Sequence, residues 1–433
     1  MGTSPPSSWG RTRRYQTDPA VTAPAICEDL AVPLDDLEPH RLADPGLAAE
    51  GERVVAWARA NMPVLAGLRD RLAAERPLEG RRIGMCLHVE SKTAVLVEVL
   101  RAGGAEVVLT GSPATTDDRV AAALARDPGI RVYALKSDAV ADHLAHVGRV
   151  LASDPDLLLD NGADLIAASV ERGAGRIAAA TEETTSGRNR LLGELAGRVP
   201  FPVVVINDSP IKLLFENEHG IGPAVVDGFL RATNSLIAGT TCAVVGYGSC
   251  GRSLARTLRA LSASVIVVEI DPVRALEAAF EGMRVAPIAD ALAQADAVFT
   301  VTGRPRIVTE ELFAHLRDGA LLANVGHFGT EIDVPALERV SVGRTELREN
   351  VVEHRLPGGR RIRLLAGGEM LNLAAANGHQ MQIMDMGFAL QAHAMRLLAT
   401  DPARFAAGYN PVPAAVDTAV AETALRTLST VSR

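Results

Sequence analysis

Apolar positions along the chain form two alternating series, each made of short continuous apolar runs separated by stretches at helical spacing. In the first, Arg82 to Val89 is a short apolar run, Thr93 to Ala102 has helical spacing, and Ala105 to Leu109 reads as a strand closed by Gly111-Ser112-Pro113. Val120 to Ala125 reads as helix, with strands at Val132 to Leu135 and Leu157 to Asp160. Val54 to Leu72 precedes them as helix, bent at Met62-Pro63. The second series starts near Thr241: strand Cys242 to Val245, Gly-rich turn Gly246 to Gly251, helix Arg252 to Leu261, strand Val265 to Glu269. Further strands follow at Ala297 to Thr300 and Ala320 to Asn324, and a Met- and Ala-rich helix runs from Gly378 to Leu398. Strands alternating with helices predict βαβ units and parallel sheets. The predicted class is therefore α/β, with two Rossmann-like, doubly wound parallel-sheet domains joined near Asn207 to Gly222 and a short C-terminal helical segment.

Length and composition agree with that picture. A chain of 433 residues has room for two or three cores. A net charge of −8 with no basic stripe argues against a nucleic-acid partner. No apolar run reaches the ~18 residues of a membrane span. The four cysteines, Cys27, Cys86, Cys242 and Cys250, show no paired spacing, so neither a disulfide framework nor a metal site is expected, and a reducing cytoplasm is the natural setting. Residues 1–22, rich in Ser, Pro and Arg near their start, read as a disordered lead-in.

The turn Gly246 to Gly251, GYGSCG, fits G-x-G-x-x-G between a predicted strand and a predicted helix. Gly246 permits the tight turn, Gly248 lets backbone approach a pyrophosphate, and Gly251 lets helix and strand pack closely. Glu269 lies at the end of the next strand, where a carboxylate can accept from a ribose hydroxyl and repel a 2′-phosphate. NAD is therefore expected over NADP. Arg274 is the feature that argues the other way.

Several rarer segments carry a resemblance. NDSPIKLLFEN (Asn207 to Asn217), IAGTTCAVVGYGSCGRS with VVEIDPVRALEAAFEG, NVGHFGTEIDV (Asn324 to Val334) and MLNLAAANGH (Met370 to His379) occur in order. CLHV, TTDDRVAAAL, LLDNGADL and EETTSG lie upstream of them. Together they resemble the S-adenosylhomocysteine hydrolase family over roughly residues 25–428. The resemblance implies a substrate domain from residues 23–215 and 380–410, an NAD domain over 216–379, and a C-terminal helical segment at 411–433. It also implies a homo-oligomer, dimer or tetramer, acting on a small nucleoside.

The chemistry it implies starts from a sugar whose C4′ proton is too weakly acidic to remove. Oxidation of the 3′-hydroxyl acidifies that proton, the 5′ substituent leaves, and the hydride returns. By resemblance Lys212 is the base near the 3′-hydroxyl, accompanied by Glu216, and Glu183 holds the sugar hydroxyls. Without the motif, Lys212 would read as an exposed helix lysine and Glu182-Glu183 as a solvated acidic pair. Asp118 manages the C4′ proton or leaving group, its plainer reading being an N-cap carboxylate. His88 and His327 are acid–base and orienting groups. His379 closes over the base at the hinge, and Asn217, Asn372, Thr184, Thr185, Ser249 and Cys250 contact the cofactor.

Departures fall on the substrate rim. In the family's H-x-T-x-E-T segment the Thr and Glu help hold adenosine, and Glu90 and Lys92 stand there in this chain. Glu216 is one methylene longer than the family's Asp, Gly329 replaces the Asp of GHFD, and Arg274 replaces an Asn beside the ribose. The sequence ends at Arg433, where family members continue into a tail that covers a neighbouring subunit's NAD. Two substrate readings follow. One is hydrolysis or synthesis of S-adenosylhomocysteine. The other, which we favour, is a dehydration that stops before water adds, leaving an alkene on a nucleoside sugar in specialised metabolism, with Glu90 supplying the leaving-group proton. An inactive NAD-binding regulator is a third reading, opposed by retention of Lys212, Asp118, Glu183, His88 and His327 together.

Overall fold

A computed structural model describes residues 40–113, 115–326 and 329–431. The predicted lead-in over 1–22, and His327, lie outside the described residues. Two sheets organise them. The first contains β1 (Arg82–Cys86), β2 (Glu106–Thr110), β3 (Ile130–Tyr133), β4 (Leu157–Asp160), β5 (Ala179–Glu182) and β6 (Pro202–Val205). The second contains β7 (Thr241–Val245), β8 (Ser264–Val268), β9 (Arg284–Val285), β10 (Ala297–Thr300), β11 (Ala320–Asn324), β12 (Gly343–Arg348), β13 (Val351–Arg355) and β14 (Arg361–Leu365). A last strand, β15 (Gly408–Pro411), returns to the first sheet beside β6.

The strand order of the first sheet is β15-β6-β5-β4-β1-β2-β3, and every pairing is parallel. Alternate residues of each strand point to opposite faces, and both faces are buried. Ile83, Met85, Val107 and Leu109 pack with α1 (Ala48–Ala60), α2 (Pro63–Glu75), α3 (Ser91–Ala102) and α4 (Asp118–Leu124). Val108, Leu158, Ala180 and Val203 pack on the other side with α5 (Val140–Ala152), α6 (Asp164–Arg172) and α7 (Thr185–Leu192). Burial on both faces is why these strands read as continuous apolar runs rather than as alternating ones.

The second sheet runs β12-β13-β14-β11-β10-β7-β8-β9. It is parallel from β14 to β9, with an antiparallel hairpin of β12 and β13 added at one edge. Cys242, Val244, Val265 and Val267 pack toward α8 (Ile221–Thr233) and α9 (Ser249–Ala260), joined by Ala278 of α10 (Pro272–Phe280). Ala243, Val245 and Val298 face α11 (Ile288–Gln294), α12 (Glu310–Phe313) and α13 (Val334–Val340). The chain returns to the first unit through α14 (Leu371–Ala374), α15 (Met381–Thr400) and α16 (Ala414–Val431).

The C-terminal helix joins the first unit: Val412, Val416, Val420 and Ala424 are buried in the core that holds α2, α3 and α15. The stretch near the first crossing is a nine-residue π-helix, Lys212–Gly220, continuous with α8. Such helices close i→i+5 hydrogen bonds, are rare, and are frequent at functional sites. Among the described residues no helix is long and apolar enough to cross a membrane.

Candidate active site

In open α/β sheets, ligands bind outside the carboxyl ends of the strands where the strand order reverses. In the first sheet that point lies between β1 and β4. His88 follows β1 by two residues, Asn161 follows β4 directly, and Glu183 follows β5 directly. The topology thus collects three polar side chains from distant stretches of sequence on one crest. Asn161 Nδ2 donates to Glu183 Oε2 at 3.3 Å and lies 3.5 Å from His88 Nε2. His88 Nδ1 is 3.0 Å from Thr115 Oγ1, whose hydroxyl donates to the Ser112 carbonyl at 2.8 Å. With that hydroxyl hydrogen used, Nδ1 is the nitrogen that donates to Thr115, and Nε2 faces the crest.

The π-helix supplies the opposite wall. Its wide turn places Lys212, Glu216 and Asn217 on one face. Lys212 Nζ pairs with Glu216 Oε1 at 2.7 Å and donates to Asn217 Oδ1 at 2.9 Å, with all three side chains buried. Burial works to lower the Lys212 pKa, but the charges of Glu216 and Glu183 outweigh it and the net shift is upward. Glu183 is pushed up to about 8, first by burial and then by the Glu216 charge. His379 approaches from the start of α15, its Nδ1 4.0 Å from Glu216 Oε1, and burial pushes it down to about 4, so its ring is neutral at pH 7. Gly220 permits this approach, because a Cβ there would come within 2.8 Å of the His379 ring.

Asn217 joins this cluster to the second sheet, its Nδ2 donating to Ser249 Oγ at 3.4 Å in the Gly-rich turn. That turn also sits at a switch point, between β7 and β10. Gly246 has φ +106°, and a Cβ on it would meet the Val301 carbonyl oxygen at 2.9 Å. A Cβ on Gly251 would lie 2.1 Å from the Gly246 carbonyl oxygen. Gly248 is the N-cap of α9 and no side chain caps that end, so its first-turn amides are left to bind an anion. Cys250, half-buried on the first turn of α9, has its thiol pKa raised by desolvation, and Lys212 lies near enough to oppose that shift. Glu269 Oε2 accepts from Tyr247 N at 2.7 Å and Oε1 from Ile270 N at 2.7 Å, which places the carboxylate beside the turn. The exposed Arg274 guanidinium leans over Gly248, 3.8 Å from where a Cβ would sit. Four buried polar atoms around the junction have no partner among the described residues: Asn161 Oδ1, Glu216 Oε2, Asn372 Oδ1 and His379 Nε2. A buried group of this kind calls for a ligand or an ordered water, so the donor set fits a dinucleotide together with a polar substrate.

Other expected residues fall elsewhere or are otherwise engaged. Asp118 is not the N-cap of α4. Asp117 caps it, and Asp118 Oδ1 accepts from Lys136 N at 2.9 Å on the wall of the cleft between the two units. That cleft has a volume of about 1330 Å³ and is also lined by Glu90, Lys92, Thr115, Asn377 and His379. Glu90 caps α3 and pairs with Lys92 at 2.8 Å, while Lys92 Nζ donates to the Asn377 carbonyl across the cleft at 2.8 Å. The pair Glu182-Glu183 is not solvated, because both side chains are buried. Thr184 Oγ1 donates to Glu182 Oε1 at 2.7 Å and caps α7, and Thr185 Oγ1 donates to Asn207 Oδ1 at 2.8 Å.

Three residues without an assigned role in the sequence prove structurally central. Asn161 bridges Glu183 and His88. Glu182 accepts from the amides of Gly162, Ala163 and Thr184 and so fixes the loop that carries Asn161. Glu331 accepts from Thr302 N at 2.9 Å and Gly303 N at 2.8 Å, fastening the loop beside Gly246. An Asn-Gly after a buried apolar run was the available signal for Asn161, but only the strand order shows what it faces.

Comparisons with known proteins bear on the family. The model of the S-adenosyl-L-homocysteine hydrolase NAD-binding domain matches residues 217–378, and the S-adenosyl-L-homocysteine hydrolase model matches residues 39–176. An S-inosyl-L-homocysteine hydrolase of Methanopyrus kandleri is 45% identical, covering 90% of this chain and 93% of its own length. An adenosylhomocysteinase of Aquifex aeolicus is 42% identical, covering 89% and 93%, and one of Archaeoglobus fulgidus is 44% identical, covering 88% and 94%. With two family models matched in tandem and relatives this similar along nearly the whole length, the chain is an NAD-dependent enzyme belonging to the S-adenosyl-L-homocysteine hydrolase family.

Proposed function

We propose that this enzyme oxidises the 3′-hydroxyl of a nucleoside sugar, removes the adjacent C4′ proton, expels the 5′ substituent and returns the hydride. The observation that carries this reading is the π-helix, which sets Lys212, Glu216 and Asn217 between the Glu183–Asn161–His88 crest and Ser249 of the Gly-rich turn. When bound, NAD would supply reversible hydride chemistry at the sugar carbon. Gly246, Gly248, Ser249, Cys250, Gly251, Asn217 and Asn372 would hold it, with Glu269 on its ribose. In the protein itself, Lys212 is a cation tied to Glu216, so the hydroxyl proton passes to the pair as a unit rather than to a free amine. Glu183, holding its own proton up to about pH 8, donates to and accepts from sugar hydroxyls. His88 Nε2 faces the 5′ side, and neutral His379 closes over the Lys212–Glu216 pair while excluding water.

Two leaving groups divide the substrate readings. The relatives' names make S-adenosyl- or S-inosyl-homocysteine the first. The second is hydroxide, leaving as water with no water added back, on a nucleoside of specialised metabolism. The Glu90–Lys92 ion pair in the cleft favours it, because it puts a carboxylate and an ammonium where the family has a Thr and a Glu, two and four residues from His88. Asp118, on the same wall, is a further group facing the 5′ side. We place the enzyme in the cytoplasm, as a homo-oligomer. The deciding experiment incubates it with NAD and a panel of nucleosides and nucleosyl-homocysteines. Appearance of homocysteine selects the first reading, and a product lighter by one water selects the second. No product, and no NADH absorbance, from any member of the panel would defeat both.

A further inference from the structure

Beneath the crest lies a second buried cluster, in which both ring nitrogens of His143 face acceptors. His143 is buried on the first turn of α5, between the turn that follows β2 and the start of α6. Its Nδ1 is 2.8 Å from the Gly111 carbonyl oxygen, and its Nε2 is 3.2 Å from Asp164 Oδ2. A carbonyl and a carboxylate offer only lone pairs, so each nitrogen carries a hydrogen and the ring is an imidazolium. Asp164 is kept ionised by Arg190 of α7, whose Nη1 donates to its Oδ1 at 2.7 Å and to the Gly162 carbonyl at 2.7 Å. Asp160 at the end of β4 is a further charge acting on the ring, with Glu182 of β5 beside it. Burial works to lower the His143 pKa, but Asp164, the Gly111 carbonyl and Asp160 outweigh it and the net shift is upward.

Both contacts lead to His88. Gly111 opens the turn that carries Ser112 and Thr115, and Thr115 meets His88 Nδ1. Gly162 and Asp164 belong to the turn after β4 that carries Asn161, which meets His88 Nε2. β1, which leads into His88, runs between β2 and β4. His143 therefore ties together, at their feet, the two turns that meet the two nitrogens of His88. We propose that His143 is a positioning residue, a cation that braces the turn after β2 against the turn after β4 and so fixes the direction of the His88 ring. A neutral ring donates to one turn only and sets a bare nitrogen against an oxygen of the other, so loss of the proton opens the brace on one side. The inference rests on the oxidation–elimination reading for the step it affects, because His88 there serves the 5′ side. The brace governs expulsion of the 5′ substituent and leaves 3′-oxidation, the work of the Lys212–Glu216 pair, unchanged.

The test separates the two steps in His143→Gln, whose amide keeps a donor toward Asp164, has none for Gly111 and does not titrate. The NAD-saturated enzyme is given adenosine or S-adenosylhomocysteine. NADH absorbance follows 3′-oxidation, and expulsion is read as homocysteine or as a product lighter by one water. At pH 6.5 expulsion should slow about tenfold or more in the variant, while oxidation stays within about twofold. The brace is complete at low pH and is lost as pH rises through the raised His143 pKa, so the ratio of wild type to variant should shrink toward one at alkaline pH. Asp164→Asn, which keeps the ring and removes its counter-charge, should give the same split. Equal slowing of both steps, slowing of neither, or a ratio that does not change with pH overturns the proposal. Independently of substrate, wild-type protein labelled with ¹⁵N-histidine should show at pH 7 a ring with both nitrogens protonated. Absence of that ring overturns the proposal even where a variant fails to fold. A wild type that makes no NADH, or expels nothing from either compound, overturns the redox reading or its 5′ step, and the nitrogen spectrum then decides the cationic brace alone.

Discussion

Lys212 carries two kinds of consequence when altered, and they separate. Lys212→Ala deletes the group beside the reacting hydroxyl, so kcat/KM should fall by about a hundredfold or more, as proton-transfer losses do. It also strands Glu216 in a buried site, which typically costs about 3–5 kcal/mol of stability. The variant should therefore keep its far-ultraviolet circular dichroism, melt at a lower temperature and show almost no turnover. Near-normal turnover would remove Lys212 from the chemistry. At the cofactor ribose, the Glu269 carboxylate beside the turn disfavours a 2′-phosphate, whereas Arg274 over Gly248 attracts one. Glu269→Ala should raise kcat/KM with NADP relative to NAD by about tenfold. A wild type that uses both cofactors equally would show that Arg274 prevails.

Elements were the most legible level of the sequence. G-x-G-x-x-G after an apolar run located the turn because two of its glycines have steric reasons, a positive φ at Gly246 and a close carbonyl at Gly251. Gly251→Ala tests the tightest of them: with a Cβ 2.1 Å from the Gly246 carbonyl, α9 must move away from β7. We expect NAD affinity to fall more than tenfold, measured by calorimetry, together with a lower melting temperature. Unchanged affinity would mean that the turn is not the pyrophosphate site. The failures have physical causes too. Asp118 looked like a helix cap because capping residues cluster there, yet the adjacent Asp117 makes that bond. The π-helix was invisible, since its residues fit ordinary helical spacing. The β12–β13 hairpin was not foreseen either, because β12 lies at the sheet edge, where its exposed polar side chains offer no apolar pattern to read.

For the whole molecule, the sequence could not say which strands are neighbours, and that is what assembles Asn161, Glu183 and His88. It also determines where charge is buried. Burial, and then neighbouring carboxylates, push Asp160 up to about 7 and Glu182 and Glu183 up to about 8. Each binds a proton in the folded chain that the unfolded chain gives up near pH 4, so their contribution to stability is lost as pH rises toward 8. His379 and His393, pushed down to about 4 by burial, act at the other end: their contribution is present above pH 6.5 and lost as pH falls toward 4. Between pH 6.5 and 8 only the first effect operates among these groups. The melting temperature should therefore fall across that window, and Glu182→Gln should flatten the slope even while lowering the whole curve. A melting temperature that climbs from pH 6.5 to 8 would contradict this. The π-helix has a consequence of another order. A stretch closed i→i+5 holds one residue more than the same α-helical span, so it works as a setting of angular phase between the two halves of the chain. Removing a single residue between 213 and 215 would let the segment rewind as an ordinary helix. Because the wider turns are what absorb the extra residue, both halves would keep their relation, whereas the same rewinding with all nine residues retained would turn everything beyond the segment by about 100° relative to what precedes it. The two sets of chemical groups would then survive intact and out of phase, so the alignment of the reaction is encoded as one residue of winding.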